Sequence, residues 1–185
     1  HLIQPFISLW LGKEYLLSNS VLILVLISFF LGIIRGTNDQ FILGCGLFSD
    51  VWAPFAEAMI LISVAILGGK VWGFEGVLLG GIVSTILVIY IWKPYYLFKK
   101  GFKTPLWKYW IPWLKHLLIM MASFGISRII VCHIPYLQII DSSWAHWVVS
   151  AVIIVSIHSI LSLSIFYASA KGMRDFIKRL IAFVR

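Results

Sequence analysis

Val21-Leu22-Ile23-Leu24-Val25-Leu26 is the stretch on which the fold turns. Apolar residues follow one another here without alternation. A strand of a membrane barrel faces lipid and lumen in turn, so this run does not suit one. Followed in both directions, the apolar character holds over residues 16–34. A hydrocarbon core about 30 Å thick needs roughly 20 mostly apolar residues in a helix. Lipid offers no partner to an open backbone N–H or C=O, so such a segment must be helical. Four further stretches meet the same criterion: residues 51–69, 73–92, 110–131 and 146–167.

The composition agrees. Of 185 residues, 61% are apolar and 12% are charged, and the mean hydropathy is +0.99. A soluble domain usually carries about twice that charged fraction. These values exclude a cytosolic globular enzyme, a disordered chain, a coiled coil and a disulfide scaffold. The expected fold is all-α and integral to a membrane, with about five transmembrane helices. Residues 1–15 are expected to form an outer loop, 16–168 the transmembrane domain and 169–185 a basic cytoplasmic tail. In that tail Met173, Phe176, Ile177, Leu180, Ile181 and Val184 recur at helical spacing, with Arg174, Lys178 and Arg179 off the stripe. This pattern predicts an amphipathic helix lying on the inner leaflet, held by anionic lipid and by burial of its apolar face.

Charge sets the orientation. Lys93, Lys99, Lys100, Lys103 and Lys108 lie between the third and fourth spans, and Lys171, Arg174, Lys178, Arg179 and Arg185 follow the fifth. Two spans separate the groups, so both fall on one face, which the positive-inside bias makes cytoplasmic. With Arg35 and Lys115 that face carries 12 cations, against Lys13, Lys70 and Arg128 on the other. The N-terminus is then outside and the C-terminus cytoplasmic. The excess of cations thus serves topology, and nucleic acid is not an expected partner. Trp107, Trp110 and Trp113 at the inner edge, with Trp144 and Trp147 at the outer edge, suit the headgroup level. Cys45 and Cys132 lie near opposite faces on this topology and are not expected to pair.

Polar residues inside spans are the candidates for function, because burying them is costly. Glu57 sits near the start of the second span, after Asp50 and Pro54. It is either a carboxylate facing a hydrated path, or an acid favoured by a helix N-terminus; the second weighs more. Asp50 and Glu57 are seven residues apart and would share a helix face if the helix were continuous through Pro54. Arg35 ends the first span and is read either as a partner for an anionic headgroup or, more simply, as a topology anchor. Lys115 and Arg128 near the two ends of the fourth span can snorkel to the headgroups. His158, beside Ser159 and one turn from Ser162, is a protonatable group in mid-span or a neutral side chain bonded to a neighbouring helix. Gly76, Gly80 and Ser84 at four-residue spacing give the third span a small face for close helix packing. There is no HExxH, GxSxG, Walker loop or DDxxD sequence, so neither a metal site nor a catalytic site is expected, and the chain is not read as an enzyme.

Several segments in order carry a family resemblance. Pro5-Phe6-Ile7, Leu9-Trp10-Leu11-Gly12 and Glu14-Tyr15-Leu16 precede a span. Arg35, Gly46-Leu47-Phe48, Asp50, Pro54 and Glu57 surround the start of the next. Gly73, Gly76, Gly80-Gly81 and Ser84 are followed by Trp92, Pro94 and Leu97. Over about residues 1–100 the chain resembles the C-terminal half of bacterial polysaccharide (O-antigen type) flippases, in the multidrug/oligosaccharidyl-lipid/polysaccharide exporter superfamily. Beyond that only two more spans and a basic tail agree. The resemblance implies two helical lobes around a central cationic cavity. It implies movement of an undecaprenyl-pyrophosphate-linked sugar across the bacterial cytoplasmic membrane by alternating access. No cofactor is implied beyond a coupling proton or sodium ion. Arg35 falls on the family's arginine after the span, and Glu57 on the glutamate of its P-x-x-E stretch. The chain begins at His1 with no visible signal peptide, and is expected to be a fragment missing an N-terminal lobe. Five spans do not make a two-lobed pathway, so the chain alone is expected not to transport.

Other readings are a membrane-embedded enzyme of polysaccharide assembly, a non-catalytic scaffold, or a drug or cation exporter of the same superfamily. The enzyme would need a reactive cluster, and the outer segment 132–145 offers only His133 and Asp141.

Overall fold

The computed structural model describes residues 2–138 and 143–184. It is all-α, with no strand among the described residues, and five of its helices are long and apolar enough to cross a membrane. The chain divides into two compact units, residues 17–110 and residues 1–16 with 111–185. Asp141 lies outside the described residues.

The first unit begins with α2 (Asn19–Ile34), since a short helix α1 (Ile3–Trp10) precedes it in the chain. Ser18 caps α2, its Oγ accepting the Val21 N–H at 3.2 Å. Arg35 does not end this helix. The helical path runs through it into α3 (Gly36–Gly44), so that Asn19–Gly44 is one helical run of 26 residues. At 1.5 Å per residue that is about 39 Å, well beyond a hydrocarbon core. α4 (Trp52–Trp72) returns, and Gly73 at φ 61° turns the chain into α5 (Phe74–Thr85). The third span also continues past its expected end at Trp92. π-helical Ile86–Trp92, α6 (Lys93–Tyr96) and π-helical Leu97–Phe102 extend it to Phe102, where Lys103 at φ 52° stops it. Pro94 lacks an N–H and crowds the preceding turn, and the wider π turn before it accommodates this without ending the helix.

Helix Phe74–Phe102 is the centre of this unit: 39% of its apolar window is buried, against 6–11% for the other two spans of the unit. Its first half meets α4 along a seam of small residues. A Cβ placed on Gly76 would lie 2.0 Å from the Gly68 carbonyl, and one on Gly80 would lie 2.8 Å from the Ala65 nitrogen. Ser84 on the same face is fully buried, its Oγ donating to the Gly81 carbonyl at 3.0 Å. Backbones this close gain dispersion that larger side chains would block. Its second half runs beside α3, where Ile42, Tyr96 and Leu97 form a small core.

In the second unit, the segment expected to be an outer loop contains α1. Its Phe6 ring meets Trp144 and Trp147 at 5.9 and 5.2 Å, and the Leu2 carbonyl accepts from Trp147 Nε1 at 3.0 Å. α7 (Trp107–Cys132) and α8 (Trp144–Ser169) are antiparallel. Ser123 Oγ and Ser162 Oγ, 2.8 Å apart, fix their register, and Lys115 Nζ donates to the Ser169 carbonyl at 3.1 Å. Extended backbone at Ala170 separates α8 from α9 (Lys171–Val184). On α9 Phe176, Leu180, Ile181 and Phe183 are exposed, alongside exposed Lys178 and Arg179.

The glycine seam gives a direct test. Gly76→Val, which drives methyl groups into the α4 backbone, should destabilise the protein by at least about 3 kcal/mol in detergent unfolding. Gly81→Ala, which meets open space, should change stability by less than about 0.5 kcal/mol.

Candidate polar site at the ends of three helices

The continuation of α2 into α3 places Arg35, Asn38 and Asp39 on one face, three and four residues apart. The continuation of the third helix brings Ile89, Tyr90, Trp92 and Lys93 opposite them. α4 starts at Trp52, so Asp50 precedes the helix and does not share a face with Glu57. The two carboxylates instead take different partners.

Arg35 Nη2 lies 3.4 Å from Glu57 Oε2, joining the first helix to α4. Glu57 is the more sheltered of the two, with its side chain 16% exposed against 46% for Arg35. Lys93 Nζ pairs with Asp39 Oδ1, joining the first helix to the third. Asn38, buried, donates from Nδ2 to the Ile89 carbonyl at 3.5 Å and to Tyr109 Oη at 3.4 Å. Tyr90 Oη donates to the Leu31 carbonyl at 2.6 Å. Trp92 Nε1 donates to Asp50 Oδ1 at 2.8 Å, and the Trp92 ring meets Trp52 edge-on at 4.7 Å. Ser49 Oγ and Tyr96 Oη are 2.5 Å apart. The bonds of Asn38 and Tyr90 satisfy buried groups that would otherwise go unpaired at a cost of about 1–3 kcal/mol.

Beside these bonds is an open cleft of about 380 Å³, lined by Asp39, Asp50 and Lys93 with Leu43, Phe48 and Pro54 among its apolar walls. The group holds two cations, Arg35 and Lys93, and three carboxylates, Asp39, Asp50 and Glu57. Asp50 is held by a neutral indole and makes no ion pair among the described residues. Among the described residues no three His, Cys, Asp or Glu side chains converge in a way that could hold a metal ion.

The sequence-derived candidates therefore separate. Arg35, Glu57 and Asp50 belong to this group, and Gly76, Gly80 and Ser84 to the seam on the same unit. His158 is in the second unit, half-buried on α8, with Nε2 3.4 Å from Ser162 Oγ and its ring edge-on to Phe124 at 6.2 Å. Asn38, Asp39, Tyr90 and Lys93 were missed as site residues. The spacing of Arg35, Asn38 and Asp39 was the available signal, hidden because the helix was expected to stop at residue 34. Comparison with family models, curated proteins and solved structures gave no match to the chain.

The two ion pairs should differ in weight. Lys93 is 12% exposed and Asp39 35%, so Lys93→Met leaves a half-buried carboxylate alone. It should cost about 2 kcal/mol in detergent unfolding. Arg35→Met, at an exposed pair, should cost less than about 1 kcal/mol.

Proposed function

We propose that this chain is part of a membrane transporter of the flippase type, moving a lipid-linked oligosaccharide across the bacterial cytoplasmic membrane by alternating access. The observation that carries the reading is the Arg35–Glu57 ion pair, which ties two spans at one end through groups that remain partly open to solvent. Such a contact is cheap to break and to remake, as helices that separate and rejoin require. Both residues are also among those that carry the flippase resemblance.

Three further features support the proposal. Lys93, Lys99, Lys100, Lys103 and Lys108 lie at or just beyond this end of the first unit, which the positive-inside bias places in the cytosol. Asp50, without a cationic partner among the described residues, offers a carboxylate for a coupling proton or sodium ion. Large apolar side chains, among them Phe29, Ile33, Phe55 and Met59, are exposed, which suits contact with lipid or with a second helical lobe completing the pathway. On this reading α9 lies along the cytoplasmic leaflet, with its cations toward anionic lipid.

The test uses the intact transporter in cells. Glu57→Gln and Arg35→Ala should each lower polysaccharide export several-fold, up to about fivefold, the worth of one exposed ion pair made in only one conformation. Unchanged export in both variants, at normal protein levels, would reduce the pair to architecture.

A further inference from the structure

The second unit holds a polar group that the proposed function does not use. Ser123 and Ser162 bond across α7 and α8 and set their register. One turn further along α7 come Ser127 and Arg128, and one turn back along α8 comes His158, with Ser159 beside it. These residues line an open groove of about 250 Å³ whose remaining walls are apolar, Phe124 and Val155 among them. Arg128 is exposed to this groove and makes no ion pair or hydrogen bond among the described residues. It lies one turn, about 6 Å, from the end of a helix long enough to span the bilayer.

A guanidinium within a span and without a partner is costly, and in such proteins it is normally paired or faces water. Snorkelling carries an arginine toward the headgroups, where the available anion is a phosphate. We infer that the groove between α7 and α8 binds the phosphate of an anionic lipid. Arg128 grips two phosphate oxygens through its fork, and the Ser159 hydroxyl and the His158 ring line the groove at the same level. The apolar walls take the first methylenes of the lipid chain. A groove below the usual range for small-molecule sites fits a headgroup phosphate and its nearest carbons, and is too small for an oligosaccharide. A lipid-borne phosphate is favoured over a free one because Phe124 and Val155 give a soluble anion nothing to contact. The inference requires only that α7 and α8 cross a bilayer, and stands whether or not the chain is part of a flippase.

The test is lipid retention by the purified 185-residue chain in mild detergent, read by native mass spectrometry. Phosphatidylglycerol, phosphatidylcholine and inorganic phosphate are the probes. Phosphatidylglycerol should be retained about tenfold more tightly than phosphatidylcholine, and Arg128→Gln should abolish that preference. Arg128→Lys, which keeps the charge and the ability to snorkel but loses the fork, should weaken it several-fold and serves if the first variant does not fold. Lys70→Gln, a change of exposed cation at the end of α4, should leave the preference intact. Equal retention of the two lipids, a preference undiminished in both Arg128 variants, or displacement of phosphatidylglycerol by millimolar inorganic phosphate would overturn the inference.

Discussion

Hydrocarbon gives a peptide group nothing to bond to, and the rest of this structure follows from that constraint. Each apolar segment satisfies its own N–H and C=O groups by coiling. Once coiled, it has no hydrophobic reason to prefer a neighbouring helix over lipid. What then holds the helices of each unit together is close backbone approach at small residues and bonds between the few polar side chains. The first unit uses both. Gly68, Gly76 and Gly80 bring α4 and α5 into backbone contact over one half of the unit, and Arg35, Asp39, Glu57 and Lys93 bond helices together over the other. The second unit uses Ser123 with Ser162, and Lys115 with the last carbonyl of α8.

The two halves of the first unit differ in what they permit. Glycine contact is permanent, since separating the backbones forfeits dispersion with no compensating hydration. Ion pairs at a helix end can exchange partners with water at small net cost. The first helix, latched by ion pairs to the welded α4–α5 pair, is the element that can part from it at the latched end. The first and third helices, about 39 and 43 Å long at 1.5 Å per residue, both exceed the thickness of a hydrocarbon core.

Much of this was legible in the sequence, because hydropathy over about 20 residues reports a physical requirement of the bilayer directly. The five helices, their helical character and the amphipathic stripe of α9 all follow from it. The helix limits do not. Arg35 looks like the end of a span because a charge belongs outside lipid, yet lipid thickness limits hydrophobic length and places no limit on helix length. The path therefore runs on to Gly44, and Asn38 and Asp39 become helical partners for Ile89 and Lys93. Pro94 conveys a break in the same way, and the π turn before it removes the break. The pairing of Arg35 with Glu57 was beyond reach for another reason. Twenty-two residues separate them, and only the fold of α2 against α4 and α5 sets that distance.

In the proposed topology these apolar helices cross a bilayer with the lysine-rich end of the first unit in the cytosol. Cysteine accessibility tests it most directly. In a Cys45→Ser, Cys132→Ser background, Lys70→Cys should react with a membrane-impermeant maleimide added outside intact cells. Lys100→Cys should react only after the membrane is opened. Labelling of both positions from the same side would contradict the account.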